Sequence, residues 1–246
     1  MAQDVEVLER YLMAQGQTPI SSSRPYRTIW NSLGKPIIYL TVPRYRKGVR
    51  SEFDPGRTQR EILENILGPL KSEVINVYVR AVKLSHSSTF LRSFRYFNKI
   101  HPCFPVLDEK TFLELWRREP QRVSSALLCD IYASALLFWD TSDSLRHHHR
   151  PDLAFAWNQA VAALQEDFMA PSMSTVHAAL LDMIGRPVLG VTGNIVNAGR
   201  TSTLAASLGL HRDPTSWKVK PHEKNVRINL WWGVLIHDYW SVLNDC

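Results

Sequence analysis

The chain has 246 residues, 45% of them hydrophobic and 21% charged, a balance that excludes a wholly disordered polymer and allows a sizeable core. Its formal net charge of +6 sits in one segment: residues 24 to 60 carry nine Lys and Arg (Arg24, Arg27, Lys35, Arg44, Arg46, Lys47, Arg50, Arg57, Arg60) against Glu52 and Asp54, so the rest is no general polyanion-binding body. No run reaches the roughly 18–20 uncharged apolar residues of a membrane span, and Cys103, Cys129 and Cys246 are too scattered for a disulfide framework or a C-x-x-C zinc site.

The start places Asp4, Glu6 and Glu9 where a signal peptide needs a basic and then an apolar run, so the chain reads as intracellular. Val5, Leu8 and Leu12 have helical spacing, and Gly16, Pro19 and the run Ser21-Ser22-Ser23 read as linker. Residues 24 to 60 interleave the basic residues with Pro25, Pro36, Pro43 and Pro55 and hold one β-prone run, Ile37 to Val42. The reading is a basic, weakly structured N-terminal arm and linker over 1–60.

Helical signals fill 61–246. Thr58 followed by Glu61 predicts a capping box, with Ile62, Leu63, Ile66 and Leu67 as the apolar face and Gly68-Pro69 as the stop. The run from Ser124 to Trp139 is apolar nearly all round, which predicts a helix inside a bundle. Pro151 is placed to be the first helical residue ahead of Leu153, Trp157, Val161, Leu164 and Phe168, and a further helix is predicted to start at Ser174. Residues 194 to 208 form another, with Gly209 and Leu210 supplying the left-handed residue and the hydrophobe of a Schellman stop. A last helix begins near Pro221 to Glu223 and carries Val226, Leu230, Trp231, Val234, Ile236 and Trp240. The fold class is therefore all-α, an irregular multi-helix bundle preceded by the arm.

Three clusters are more particular than periodicity. Tyr96-Phe97-Asn98-Lys99-Ile100-His101-Pro102-Cys103-Phe104-Pro105-Val106-Leu107, with Phe112 after it, resembles the Y-F-x-x-[VI]-H-P-x-F-P-[IV]-[LI] signature that opens the middle homology region of fungal zinc binuclear cluster transcription factors. Ser174 to Leu181 resembles that region's S-x-x-V-Q-A-L-L-L segment. Leu204 to Pro214, Trp217 and Arg227 to Trp232 resemble its L-G-L-H-R-D and R-R-R-L-W-W elements. The wording around Gly190 to Trp232 is most similar to the nitrogen-catabolism regulators of the family.

The resemblance implies a helical regulatory domain, nuclear and non-enzymatic, that lies downstream of a six-cysteine DNA-binding module in the parent protein. It implies other transcription factors or coactivators as partners, no membrane, and no cofactor in this chain, zinc belonging to the DNA-binding module. Three scattered cysteines cannot build that module. Only Arg227 of the basic triplet before Leu230-Trp231-Trp232 is matched, and relatives continue past Cys246, so the chain is expected to be the N-terminal part of the regulatory domain, truncated or mis-bounded. Val79 to Tyr96 interrupts the helix that relatives run straight into the first motif, an interruption open to two readings: an ordinary loop or helical extension, or a retained intron.

Bland roles suit most of the motif residues. Phe97, His101, Pro102, Phe104 and Pro105 suit a rigid corner plugged by aromatics. Gly209, His211, Arg212 and Asp213 suit a helix stop and turn. Trp231 and Trp232 lie about 100° apart on a helix, so one fills the core and the other faces a neighbour or a groove. The alternative from another class is an all-helical metal-dependent phosphohydrolase built on His237-Asp238 with His177 and His211. Arg146-His147-His148-His149-Arg150 reads as a solvated loop. The arm, around Arg44, Arg46, Lys47 and Arg50, supplies the possible DNA or nuclear-import contacts, weak and non-specific because they reach phosphates rather than bases.

Overall fold

A computed structural model describes residues 26–30, 33–34, 36–40, 54–84, 109–186 and 191–243. Within the arm, β1 (Tyr26–Trp30) pairs antiparallel with β2 (Pro36–Leu40), Tyr26 opposite Leu40 and Trp30 opposite Pro36. The β-prone run thus finds a partner strand that the expectation of an extended arm did not include. Pro36 is tolerated because it occupies the first position of a strand in a two-stranded ribbon. The arm's Arg44, Arg46, Lys47 and Arg50, its N-terminal stretch 4–14 and the motif residues Phe97, His101, Pro102, Phe104 and Pro105 lie outside the described residues.

From residue 54 every described element is helical: α1 (Arg57–Leu67), α2 (Lys71–Leu84), α3 (Glu109–Arg118), α4 (Ser125–Ala135), α5 (Leu153–Asp167), α6 (Met173–Gly185), α7 (Val191–Ser207) and α8 (Pro221–Leu243). Short 3-10 turns follow α1, precede α4 and extend α4 from Leu136 to Thr141. α2 runs unbroken through Val79 to Leu84, so this part of the interrupting segment is helical.

Two helix starts depart from the sequence reading. The Thr58–Glu61 capping box does not form: α1 begins at Arg57 with Gly56 as its cap, at φ 77°, and Glu61 instead accepts from Arg57 Nε at 2.8 Å. Asp152 rather than Pro151 governs α5, its Oδ1 accepting from Phe155 N at 2.7 Å, which places the proline outside the helix. Conversely, Ser172 and Thr175 form a capping box that starts α6 at Met173, one residue before the start read from the sequence. At α5 and α6 the side chain that reaches an unsatisfied N–H of the first turn sets the boundary, whereas α1 starts at a positive-φ glycine without a side-chain cap.

α4 is the centre of the bundle. All eleven of its residues are buried, because α1, α2, α5 and α6 pack around it and leave no face for water. The principal core gathers Leu63, Leu67, Val74, Ile75, Leu128, Ile131, Tyr132, Trp139, Trp157 and Leu164 among others. Burying a side chain of the size of Trp139 stabilises by about 3 kcal/mol, and its indole N–H still donates to the His148 carbonyl at 3.0 Å. Tyr132 likewise keeps its hydroxyl on Glu64 at 3.2 Å, and Glu64 also receives Arg60 and Lys71. Gly56 allows α1 to lie directly on α5: a Cβ there would sit 2.6 Å from the Cβ of Ala163. Its N–H donates to Glu166 at 2.8 Å.

A second, smaller core holds Val176, Leu180, Met183, Ile184, Ala198, Ala205, Leu210, Leu230 and Val234. α6 serves both: Ala178, Ala179 and Leu181 face the first core, Val176, Leu180, Met183 and Ile184 the second. A helix apolar on both sides at helical spacing can be sandwiched in this way.

Candidate functional site

The corner between α7 and α8 carries the described motif residues. α7 ends in a Schellman motif, Leu210 N–H donating to Ala205 O and Gly209 N–H to Ala206 O, both at 3.0 Å. Gly209 takes φ 72° and Leu210 is 2% exposed in the second core. A non-glycine residue is strained in that conformation, which accounts for the glycine. His211, Arg212 and Asp213 follow on the exposed side, and Pro214 and Trp217 turn back inward.

Asp213 folds the turn locally. Its carboxylate accepts from Thr215 N at 2.9 Å and from the Thr215 hydroxyl at 2.8 Å. The backbone N–H of Thr215 holds this carboxyl below its ordinary range, and the hydroxyl adds to the effect. Lys224 donates to the Thr215 carbonyl at 2.7 Å and so ties the first turn of α8 to the corner. On the inner side the guanidinium of Arg227 lies 5.2 Å from the centre of the Trp217 ring, with Glu223 at 3.7 Å. The His211 ring stands edge-on to Trp231, 6.1 Å between centroids. The cluster is an aromatic and ionic brace between two helices, with Trp232 projecting outward at 59% exposure.

The residues of the hydrolase reading are not gathered. His211 is exposed at the corner, His177 is buried on α6, and His237 lies on α8, where burial lowers its pKa to about 4. Among the described residues no group of three or more His, Cys, Asp or Glu is placed to hold a metal ion. The histidine run is a surface loop in which Arg150 pairs with Asp140 at 3.1 Å and Arg146 with Asp143 at 3.3 Å.

Sequence reasoning missed a polar seam inside the bundle. Asp130 of α4 has 0% exposure, and neither carboxylate oxygen has a hydrogen-bond partner. Asp167, at the end of α5, accepts from the Thr175 hydroxyl. Asp182 of α6 is gripped by Arg186 through two bonds, 2.8 and 3.0 Å. From α7, Arg200 stacks 3.6 Å over the Phe168 ring and donates Nη1 to Gln165 at 2.8 Å, while its Nε and Nη2 have no hydrogen-bond partner. Burial pushes the Asp130 carboxyl well above the usual carboxylate range, and the neighbouring Asp182 charge pushes it further. Burial raises Asp182 too, against the pull of Arg186. The one visible signal was an acid inside the otherwise apolar run from Ser124 to Trp139.

A cleft of about 270 Å³ opens between α1, α4 and α5, lined by Leu63, Ile66, Tyr132, Leu136, Pro151 and Phe155. Ile66 and Phe155 form its half-exposed rim.

Residues 95–244 match the family described as the fungal specific transcription factor domain. An uncharacterized transcriptional regulatory protein of Schizosaccharomyces pombe is 27% identical over 238 residues, 96% of this chain and 34% of that protein. The transcriptional activator protein DAL81 of Saccharomyces cerevisiae is 32% identical over 151 residues, 61% of this chain and 15% of that protein. The chain therefore spans about a third or less of the length of these relatives. No solved structure matches it.

Proposed function

This chain belongs to the fungal specific transcription factor domain family, and on that premise we propose that it is the regulatory middle-homology region of a nuclear regulator of RNA polymerase II transcription. The region is non-enzymatic and takes no cofactor itself; zinc belongs to a six-cysteine DNA-binding module of the parent. Its partners are other transcription factors or coactivators. Any DNA contact is weak and phosphate-directed, through Arg44, Arg46, Lys47 and Arg50. The resemblance around Gly190 to Trp232 supports a place among the nitrogen-catabolism regulators.

The observation that carries this reading is the family match over 95–244, which includes the braced corner at Gly209–Asp213 and the Trp231–Trp232 pair. The braced corner with the exposed Trp232 beside it supports a surface that a protein partner recognises. The test is to fuse residues 1–246 to a heterologous DNA-binding domain in a fungal reporter strain. Reporter output should differ severalfold from the DNA-binding domain alone and should respond to nitrogen source. Output identical to the control in every medium, from a fusion that is folded and nuclear, would overturn the proposal. Response without nitrogen dependence would remove the subgroup assignment only.

A further inference from the structure

The polar seam between the two cores does not balance in charge as its residues ordinarily ionise. It holds three aspartates, Asp130, Asp167 and Asp182, against two arginines, Arg186 and Arg200. Asp182 has its counter-ion in Arg186, and Asp167 has a hydroxyl donor in Thr175. Asp130 alone of the three has no donor on either oxygen, at 0% exposure. An ionised carboxylate in such a place lacks both solvent and hydrogen bonds, whereas a neutral carboxylic acid leaves only two weakly polar groups unpaired.

Among the groups facing Asp130 only the Arg186 charge favours its ionised form, and burial with two neighbouring aspartates outweighs it. Tyr78 of α2 is a neutral phenol, Asp167 of α5 and Asp182 of α6 are like-charged, and Arg186 of α6 is committed to Asp182. On α4 itself the neighbour Cys129 is a buried thiol, and the Arg60–Glu64 pair of α1 bears on Cys129 and Tyr132 rather than on Asp130.

We propose that Asp130 is carried as a neutral acid, one proton making the seam of three aspartates and two arginines charge-balanced, and that the fold is a proton-linked latch which loosens as that proton is lost. The step is a simple acid–base exchange. The O–H bond of the Asp130 carboxyl breaks, its electron pair stays on oxygen, and the proton passes to water admitted when the helices around α4 part. A carboxyl held protonated in the fold contributes stability that is full below its unfolded pKa of about 3.9 and is lost as pH rises toward its folded value. The latch therefore weakens on the alkaline side, the reverse of an ion-paired aspartate.

The experiment is denaturant unfolding of the 246-residue chain and of Asp130→Asn at pH 5, 6, 7 and 8. The asparagine keeps the shape and carries no proton. The ratio of the wild-type unfolding constant to that of Asp130→Asn should rise about tenfold per pH unit until the folded pKa is reached. Other titrating groups, His237 included, are common to both proteins and cancel. A ratio independent of pH would overturn the proposal. Should Asp130→Asn fail to fold, infrared spectra of the wild type labelled with carbon-13 aspartate decide it. A protonated-carboxyl C=O band at pH 7 that disappears on alkaline titration supports the latch. Absence of that band at pH 7 refutes it.

Discussion

Gly56→Ala should be among the most damaging one-carbon changes in the molecule, and its cost divides into two parts. The residue sits at φ 77°, where an L side chain is disfavoured by about 1–2 kcal/mol. The added methyl would lie 2.6 Å from Ala163 Cβ and 3.0 Å from its Cα, so the obstacle is the wall of α5 rather than a flexible tip. Backing α1 away would stretch the Gly56 N–H bond to Glu166 and the Ser125–Asp54 bond at 2.9 Å, a strain of about 1–3 kcal/mol. Together the loss is about 2–5 kcal/mol, or about 10 °C in Tm for a chain of this size. Gly68→Ala isolates a purely conformational loss: nothing lies within 4 Å of an added Cβ, but φ 52° with ψ −127° falls outside the αL region, so it should lose about 1–3 kcal/mol from backbone strain alone. Gly199→Ala, exposed within α7 and in open space, should stabilise by about 0.5–1 kcal/mol. Denaturant titrations of the three variants give these values. A Gly56→Ala protein that loses no more than the conformational part, about 1–2 kcal/mol, would refute the close-packing account.

Burial holds His237 neutral with a pKa of about 4, so lowering the pH makes the unfolded chain take up a proton that the fold refuses. Stability should fall between about pH 6.5 and 4 by up to about 3 kcal/mol, and His237→Asn should flatten that limb of a Tm-versus-pH curve. Trp232 and Tyr239, 59% and 66% exposed and two turns apart on α8, should promote self-association. The double variant Trp232→Gln, Tyr239→Gln should scatter less light at equal concentration and lose no more than about 0.5 kcal/mol; unchanged scattering would count against it. If about four cations of the arm touch phosphates, log K for duplex DNA should fall with log salt at a slope near −3.6, alike for unrelated sequences. Sequence-selective binding surviving removal of residues 1–60 would contradict this.

The helical body was readable because its periodic runs are long and its stops are chemical. Gly209 and Leu210 end α7 with the two hydrogen bonds that their types imply. The surface of α8 was less legible: Leu230 and Val234 are buried against α6 and α7, while Trp232 and Tyr239 stand exposed. Periodicity gives the apolar faces of a helix but not which neighbour covers them. The Thr58–Glu61 pattern misled for a related reason: a positive-φ glycine and a carboxylate from α5, 110 positions away, do the work that a local box would have done. Asp130 was visible as one acid in an apolar run, yet only the packing of α2, α5 and α6 reveals that no donor meets it. Side-chain partners across the fold are long-range facts, and short windows of sequence do not contain them.

From Thr175 to Gly185 every residue of α6 is buried, and its opposite faces belong to different cores. Neither core can melt by itself without stripping one flank of that helix, so the two should open as a single cooperative foldon rather than as separable subdomains. In a hydrogen–deuterium exchange experiment the amides from Ala178 to Gly185 should be released only by global opening, and at one common rate with those at the centre of α4. A signal arriving at the α7–α8 corner would then reach the far side of the bundle through a shared beam, without any chain of discrete contacts to carry it.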